Sequence, residues 1–244
     1  ADKITESLNA LESYASSGAS KKEILAKTKE EATTIAALNA ADLNNKRAEG
    51  IIAFPDTANL SEWYAVPVLN AVESGFVSKT QAEFKPSEPE TKCAAITRYA
   101  RVLEKSGQLE IDEDNKTPVA GAPDWCRPFI HAMREEGVDF VENLTDPNAP
   151  ADRLDIAVLI RDALGQQLPP PENVNEYLTP DARNLSKEEQ EAVAMVRFYG
   201  IMDAVDGKNF GPDVGFNRAQ YALVTVKAYD AVQESERGAA EENP

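Results

Sequence analysis

The chain has 244 residues, 42% hydrophobic and 27% charged, so it can bury a core and is not disordered throughout. Its 42 acidic residues against 25 basic ones give a net charge of −17, which excludes a general nucleic-acid binder and argues against an anionic membrane surface as partner. No apolar run is long enough to span a bilayer, so no direct membrane insertion is expected. No segment reads as a signal peptide, and Ala1-Asp2 would suit a mature N-terminus left by processing.

Residues 1–50 are expected to form an N-terminal helical extension. Ile4, Leu8, Leu11 and Tyr14 make one apolar face, and Ser16-Ser17-Gly18 breaks it. Ser20 and Glu23 form a capping-box pattern that opens a second helix running to Leu38. The first repeat is expected over 51–107. After Phe54-Pro55-Asp56, the apolar residues Trp63, Val66, Leu69 and Val72 recur at helical spacing, and Gly75 ends the helix. Phe84-Lys85-Pro86 and Thr91-Lys92-Cys93-Ala94 follow and open an alanine-rich amphipathic helix.

A polar linker comes next, containing Asp112-Glu113-Asp114-Asn115. This run looks like part of a calcium loop, but Thr117 stands where a glycine is needed and Pro123 where an acid is needed, so it reads as solvated linker. A second repeat is expected over 118–167. Pro123-Asp124-Trp125 opens a helix through Phe129, Ile130 and Met133 to Gly137, and Asp152-Arg153-Leu154-Asp155 opens the next. Pro169-Pro170-Pro171 marks a stiff connection. A third repeat is expected over 176–232, with Asp181, Gly200, Phe210-Gly211-Pro212 and Asn217-Arg218-Ala219-Gln220 in the same order. Residues 233–244 read as a frayed acidic tail.

The spacings carry the repeat. Gly75 follows Asp56 by 19 residues and Gly200 follows Asp181 by 19; Trp63 and Trp125 each precede their glycine by 12. The basic residue follows the glycine by 17, 16 and 18 positions in the three segments. Such agreement indicates one supersecondary unit repeated at about sixty residues.

On these residues the chain resembles the S-layer homology module. The resemblance covers roughly 51–232 and rests on the aromatic-Pro-Asp opening, the tryptophan, the closing glycine, the Phe-x-Pro and a tetrad that the family writes Thr-Arg-Ala-Glu. It implies a mainly α fold in which three helix-loop-helix repeats form one pseudo-threefold body. It implies a non-catalytic anchoring role at the cell envelope, with acidic wall polysaccharide as partner and no cofactor. The residues that the resemblance assigns to the ligand are Lys92, Arg153 and Arg218, Trp63 and Trp125, and Asp56, Asp124 and Asp181. In the third repeat Glu188 stands where the tryptophan would be. The alternative is a structural adaptor docking by protein contacts in a large assembly, since such modules also occur in the cyanobacterial and plastid lineages; its location would be plastid or thylakoid-associated.

Capping explains the first and fourth tetrad positions without a ligand. It leaves the cation at the second position unexplained, because a positive charge near a helix N-terminus costs roughly 0.3–1 kcal/mol. These cations serve either a ligand or a salt bridge between repeats, with Asp56, Asp124 or Asp181 as partners. Trp63 and Trp125 are expected in the core, with sugar stacking as the other use. Cys93 and Cys126 are expected as free thiols, and the single histidine, His131, as structural. No phosphate loop or nucleophile motif is present, and no metal site is expected, so no enzyme is expected; a carboxylate-dependent hydrolase stays as a remote alternative.

Overall fold

The computed structural model describes residues 23, 27–28, 54–57, 62–78 and 81–242. The chain divides into two units, Ala1–Ala53 and Phe54–Pro244. Residues 23, 27 and 28 are helical; the two helices expected over 1–50 otherwise lie outside the described residues.

The second unit is mainly helical and, among the described residues, has no strand longer than an isolated bridge. Its helices are α1 (Ala65–Glu73), α2 (Lys92–Lys105), α3 (Arg127–Glu135), α4 (Asp139–Glu142), α5 (Arg153–Leu164), α6 (Val174–Tyr177), α7 (Lys187–Phe198) and α8 (Arg218–Glu242). Three-residue 3-10 turns at Pro55–Thr57 and Ala182–Asn184 precede α1 and α7.

Helices α1, α3 and α7 end by one device, which α2 shares at Gly107 (φ 71°, with the Gln108 amide donating to the Leu103 carbonyl). Gly75, Gly137 and Gly200 adopt positive φ of 81°, 73° and 64°. Beside them the amides of Phe76, Val138 and Ile201 donate to the carbonyls of Ala71, Met133 and Val196, closing Schellman motifs. The chain then crosses to a second helix. Thr91, Asp152 and Asn217 cap α2, α5 and α8 by accepting from the amides of Ala94, Asp155 and Gln220. Asp155 and Gln220 reach back to the amides of Asp152 and Asn217, completing capping boxes; Ala94 has no side chain to do so.

The backbone before these caps is interlocked. Isolated antiparallel bridges join Thr91 to Pro150, Asp152 to Gly215 and Asn217 to Pro89. The amide of Glu90 donates to Phe216, that of Phe216 to Ala151, and that of Ala151 to Glu90, at 2.9, 3.1 and 2.8 Å. The three hydrogen bonds close a ring. Helix packing follows the same order: α3 lies against α2, α7 against α5, and α1 against α8.

Apolar residues at three- and four-residue spacing supply the core. Ile96, Tyr99, Ala100 and Leu103 of α2 are buried, as are Ile156, Leu159, Ile160 and Ala163 of α5 and Tyr221, Val224, Ala228 and Val232 of α8. At their centre lies an ion pair, Arg98 to Glu90, with 7% and 4% of the side chains exposed. The Arg98 guanidinium also covers the Tyr221 ring at 4.8 Å.

Two expectations are overturned here. Cys93 and Cys126 form a disulfide, with Cα atoms 5.9 Å apart and both residues fully buried. The bridge joins the start of α2 to the residue capping α3, positions 33 apart in sequence, so spacing gave no hint of their proximity. The tail from Gln233 continues α8 to Glu242. Ser235 ties that segment to the Gln167 carbonyl, and Arg237 donates to the Gln233 carbonyl one turn back.

Candidate functional site

Asp56 and Asp181 do the same work in two places. Each carboxylate accepts two successive loop amides: Asp56 from Phe84 (2.9 Å) and Lys85 (2.6 Å), Asp181 from Phe210 (3.0 Å) and Gly211 (2.8 Å). The second amide of each pair belongs to a residue at positive φ, Lys85 at 58° and Gly211 at 69°. Burial raises the Asp181 carboxyl, but hydrogen bonds from Thr179, Gly211 and Phe210 outweigh it and hold the group below the usual range. Asp124 lacks this role. Its carboxylate is largely exposed and pairs with Arg127 at 2.8 Å, one turn along. The fit of Asp124 to the opening position therefore ends at the sequence.

Lys92, Arg153 and Arg218 are each the first residue of a helix, α2, α5 and α8. Each head group leaves its own helix for an aromatic ring elsewhere in the chain: Lys92 lies 5.9 Å from the Phe140 centroid, Arg153 4.7 Å from Phe210, and Arg218 5.2 Å from Phe84. Polar contacts complete the clasps. Lys92 pairs with Asp155 at 2.7 Å, and Arg218 donates to the Gln81 side chain at 3.0 Å. Arg153 donates from Nε to the Phe210 carbonyl at 2.7 Å and from a terminal nitrogen to the Asp203 carbonyl. Burial lowers the Arg153 pKa, and the nearby charges of Asp181 and Asp203 work against that shift. None of the three forms an ion pair with Asp56, Asp124 or Asp181. The Asp56 and Asp181 oxygens serve loop amides instead: Arg153 turns to two carbonyls and Arg218 to an amide side chain, while Lys92 does pair with a carboxylate, that of Asp155.

Trp63 and Trp125 are not core residues. They are 54% and 52% exposed, each in the turn two residues before a helix, α1 or α3. Buried side chains of α1 and α3, such as Leu69 and Phe129, take the places expected of them. His131 contacts the Thr117 carbonyl at 3.1 Å and ties α3 to the linker, a structural use. In that linker Asp112 and Asn115 accept from the amides of Asp114 and Thr117, and no metal-binding cluster occurs among the described residues.

A cleft of about 570 Å³ opens where α4 and α5 meet Lys92 and Glu189. Phe140, Leu144, Leu154 and Val158 form its apolar part. Five carboxylates line it against two cations. Lys92 neutralises Asp155, and Arg161 holds Asp162 at 2.8 Å, while Asp162 also accepts the Phe140 amide. Burial and the charges of Asp155 and Asp213 raise the Asp152 carboxyl, against the pull of the Asp155 amide and Lys92.

Sequence reasoning missed the Glu90–Arg98 pair and the cleft. The positions offset like Glu90 and Arg98 in the other two segments are Ala151 with Leu159 and Phe216 with Val224, so the spacing carries no ionic signal. Helix α4 has four residues, too few for a period. The chain matches no known family model and no curated protein. Among the described residues no helix is long and apolar enough to cross a membrane.

Proposed function

We propose that this chain is a non-catalytic attachment module of the S-layer homology type, built from three helix-loop-helix repeats in pseudo-threefold arrangement. The hydrogen-bonded ring of Glu90, Ala151 and Phe216 supports the arrangement, as do the matching Schellman ends of α1, α3 and α7 and the three clasps. Its partner is a polysaccharide of the cell envelope. The observation that carries this reading is the exposure of Trp63 and Trp125 at matching stations, since an indole left half in water is a platform for a sugar ring. The buried Cys93–Cys126 disulfide favours an oxidising compartment outside the cytoplasm. Asp56 and Asp181 support the site by shaping loops, and the three basic residues by holding repeats together.

A specific observation favours the second reading, a protein–protein adaptor. The three tetrad cations are engaged within the chain, and the cleft retains net negative charge, which disfavours an anionic glycan there. Co-sedimentation with purified wall polysaccharide separates the readings. The whole chain should pellet with the polymer, and a Trp63→Ala/Trp125→Ala variant with unchanged thermal unfolding should stay in the supernatant. Equal pelleting of both takes the glycan site away from the tryptophans; pelleting of neither rejects the glycan role, and copurification with a protein complex then selects the adaptor.

A further inference from the structure

The cleft between α4 and α5 holds charge that the chain leaves unanswered. Among the described residues Asp139, Asp152 and Glu189 form no ion pair, whereas Asp155 and Asp162 do; Asp152 and Glu189 each also accept a backbone amide in a capping box, and the charge of Lys92 acts on Asp152. Asp139 is exposed at the rim. Between the carboxylates lie the partly exposed side chains of Phe140 and Val158. An apolar floor edged by carboxylates that outnumber their cations complements a ligand with an aliphatic stem and a positive head. Lysine side chains have that build, since they lay their methylenes on apolar surface and keep the ammonium at its edge.

We propose that this cleft docks a basic segment of a partner protein, with a lysine stem on Phe140 and Val158 and its ammonium among Asp139, Asp152 and Glu189. Lys92 lines the cleft but neither tryptophan does, so the proposal deepens the adaptor reading and is tested separately from glycan attachment at the tryptophans. Charge complementarity selects the occupant: a polyanion meets unpaired carboxylates, and a neutral sugar leaves them uncompensated. A glycan carrying free amines shares the positive charge but lacks a flexible aliphatic stem.

The test is a titration of the isotope-labelled whole chain followed by backbone amide shifts. Three probes are used: an acetylated, amidated peptide of alternating leucine and lysine, the same peptide with glutamate for lysine, and a glucosamine oligomer. The lysine peptide should shift the amides of Phe140, Leu144 and Val158, and the glutamate peptide should leave them in place. Asp139→Asn with Glu189→Gln should weaken the lysine peptide about tenfold, as should raising salt from about 50 to about 200 mM. Both substitutions spare the fold, because Asp139 is exposed and glutamine still completes a capping box. Absence of cleft shifts with the lysine peptide, equal affinity of the variant, or a response to the glucosamine oligomer alone overturns the proposal. Wall-polysaccharide binding measured on the same sample reports independently on the tryptophan surface.

Discussion

Lys85 sits in a left-handed backbone conformation that glycine accepts without strain, and Gly211 occupies the corresponding loop position after Phe210. The Asp56 carboxylate holds Lys85 there through its amide. Lys85→Gly is therefore expected to raise stability by about 0.5–1 kcal/mol, the relief of strain exceeding the added chain entropy and the loss of an exposed pair with Glu88. Chemical denaturation reads the change; a loss of stability would count against strain at this site. Arg153→Ala should cost about 2–4 kcal/mol, because it leaves the Phe210 and Asp203 carbonyls without a buried donor and uncovers the Phe210 ring. Lys92→Ala, whose pair with Asp155 is partly solvated, should cost about 1 kcal/mol. Equal melting of wild type and Arg153→Ala would show that the clasp contributes nothing.

At the scale of the element, the helix starts were legible and their purpose was not. Thr91, Asp152 and Asn217 announced caps by residue type and spacing. A cation directly after each cap opposes the helix dipole, and that conflict rightly signalled a second demand on the side chain. The partner could not be read, because Phe140, Phe210 and Phe84 lie 48, 57 and 134 positions away in sequence. The tryptophans failed for a related reason. Helical spacing put Trp63 on the same face as Leu69, but the helix begins at Ala65, and a residue in the preceding turn does not follow the helical period. Cysteine pairing was equally hidden, since it depends on how α3 meets α2.

At the scale of the second unit, closure is the organising feature. Helix α8 packs against α1, and the amides before α2, α5 and α8 form a ring, so the two ends of this unit are bound to each other. The disulfide strengthens one joint of that ring by restricting the unfolded chain. For a closed loop of this size the chain-entropy model gives about 3–4 kcal/mol. The melting temperature should fall accordingly after full reduction, and the Cys93→Ala/Cys126→Ala protein, which has no thiol left, should show no further change with reductant. No change on reduction would place the joint's strength in helix packing alone.

The central claim is that the exposed indoles meet a polysaccharide, and the chain offers a direct probe because Trp63 and Trp125 are its two tryptophans. The decisive measurement is intrinsic tryptophan fluorescence of the whole chain during titration with purified wall polysaccharide. Stacking of a sugar ring removes water from the indole, so a saturable blue shift is predicted, roughly halved in Trp63→Phe and in Trp125→Phe. Emission that stays unshifted at saturating polysaccharide, with the protein folded, would contradict it.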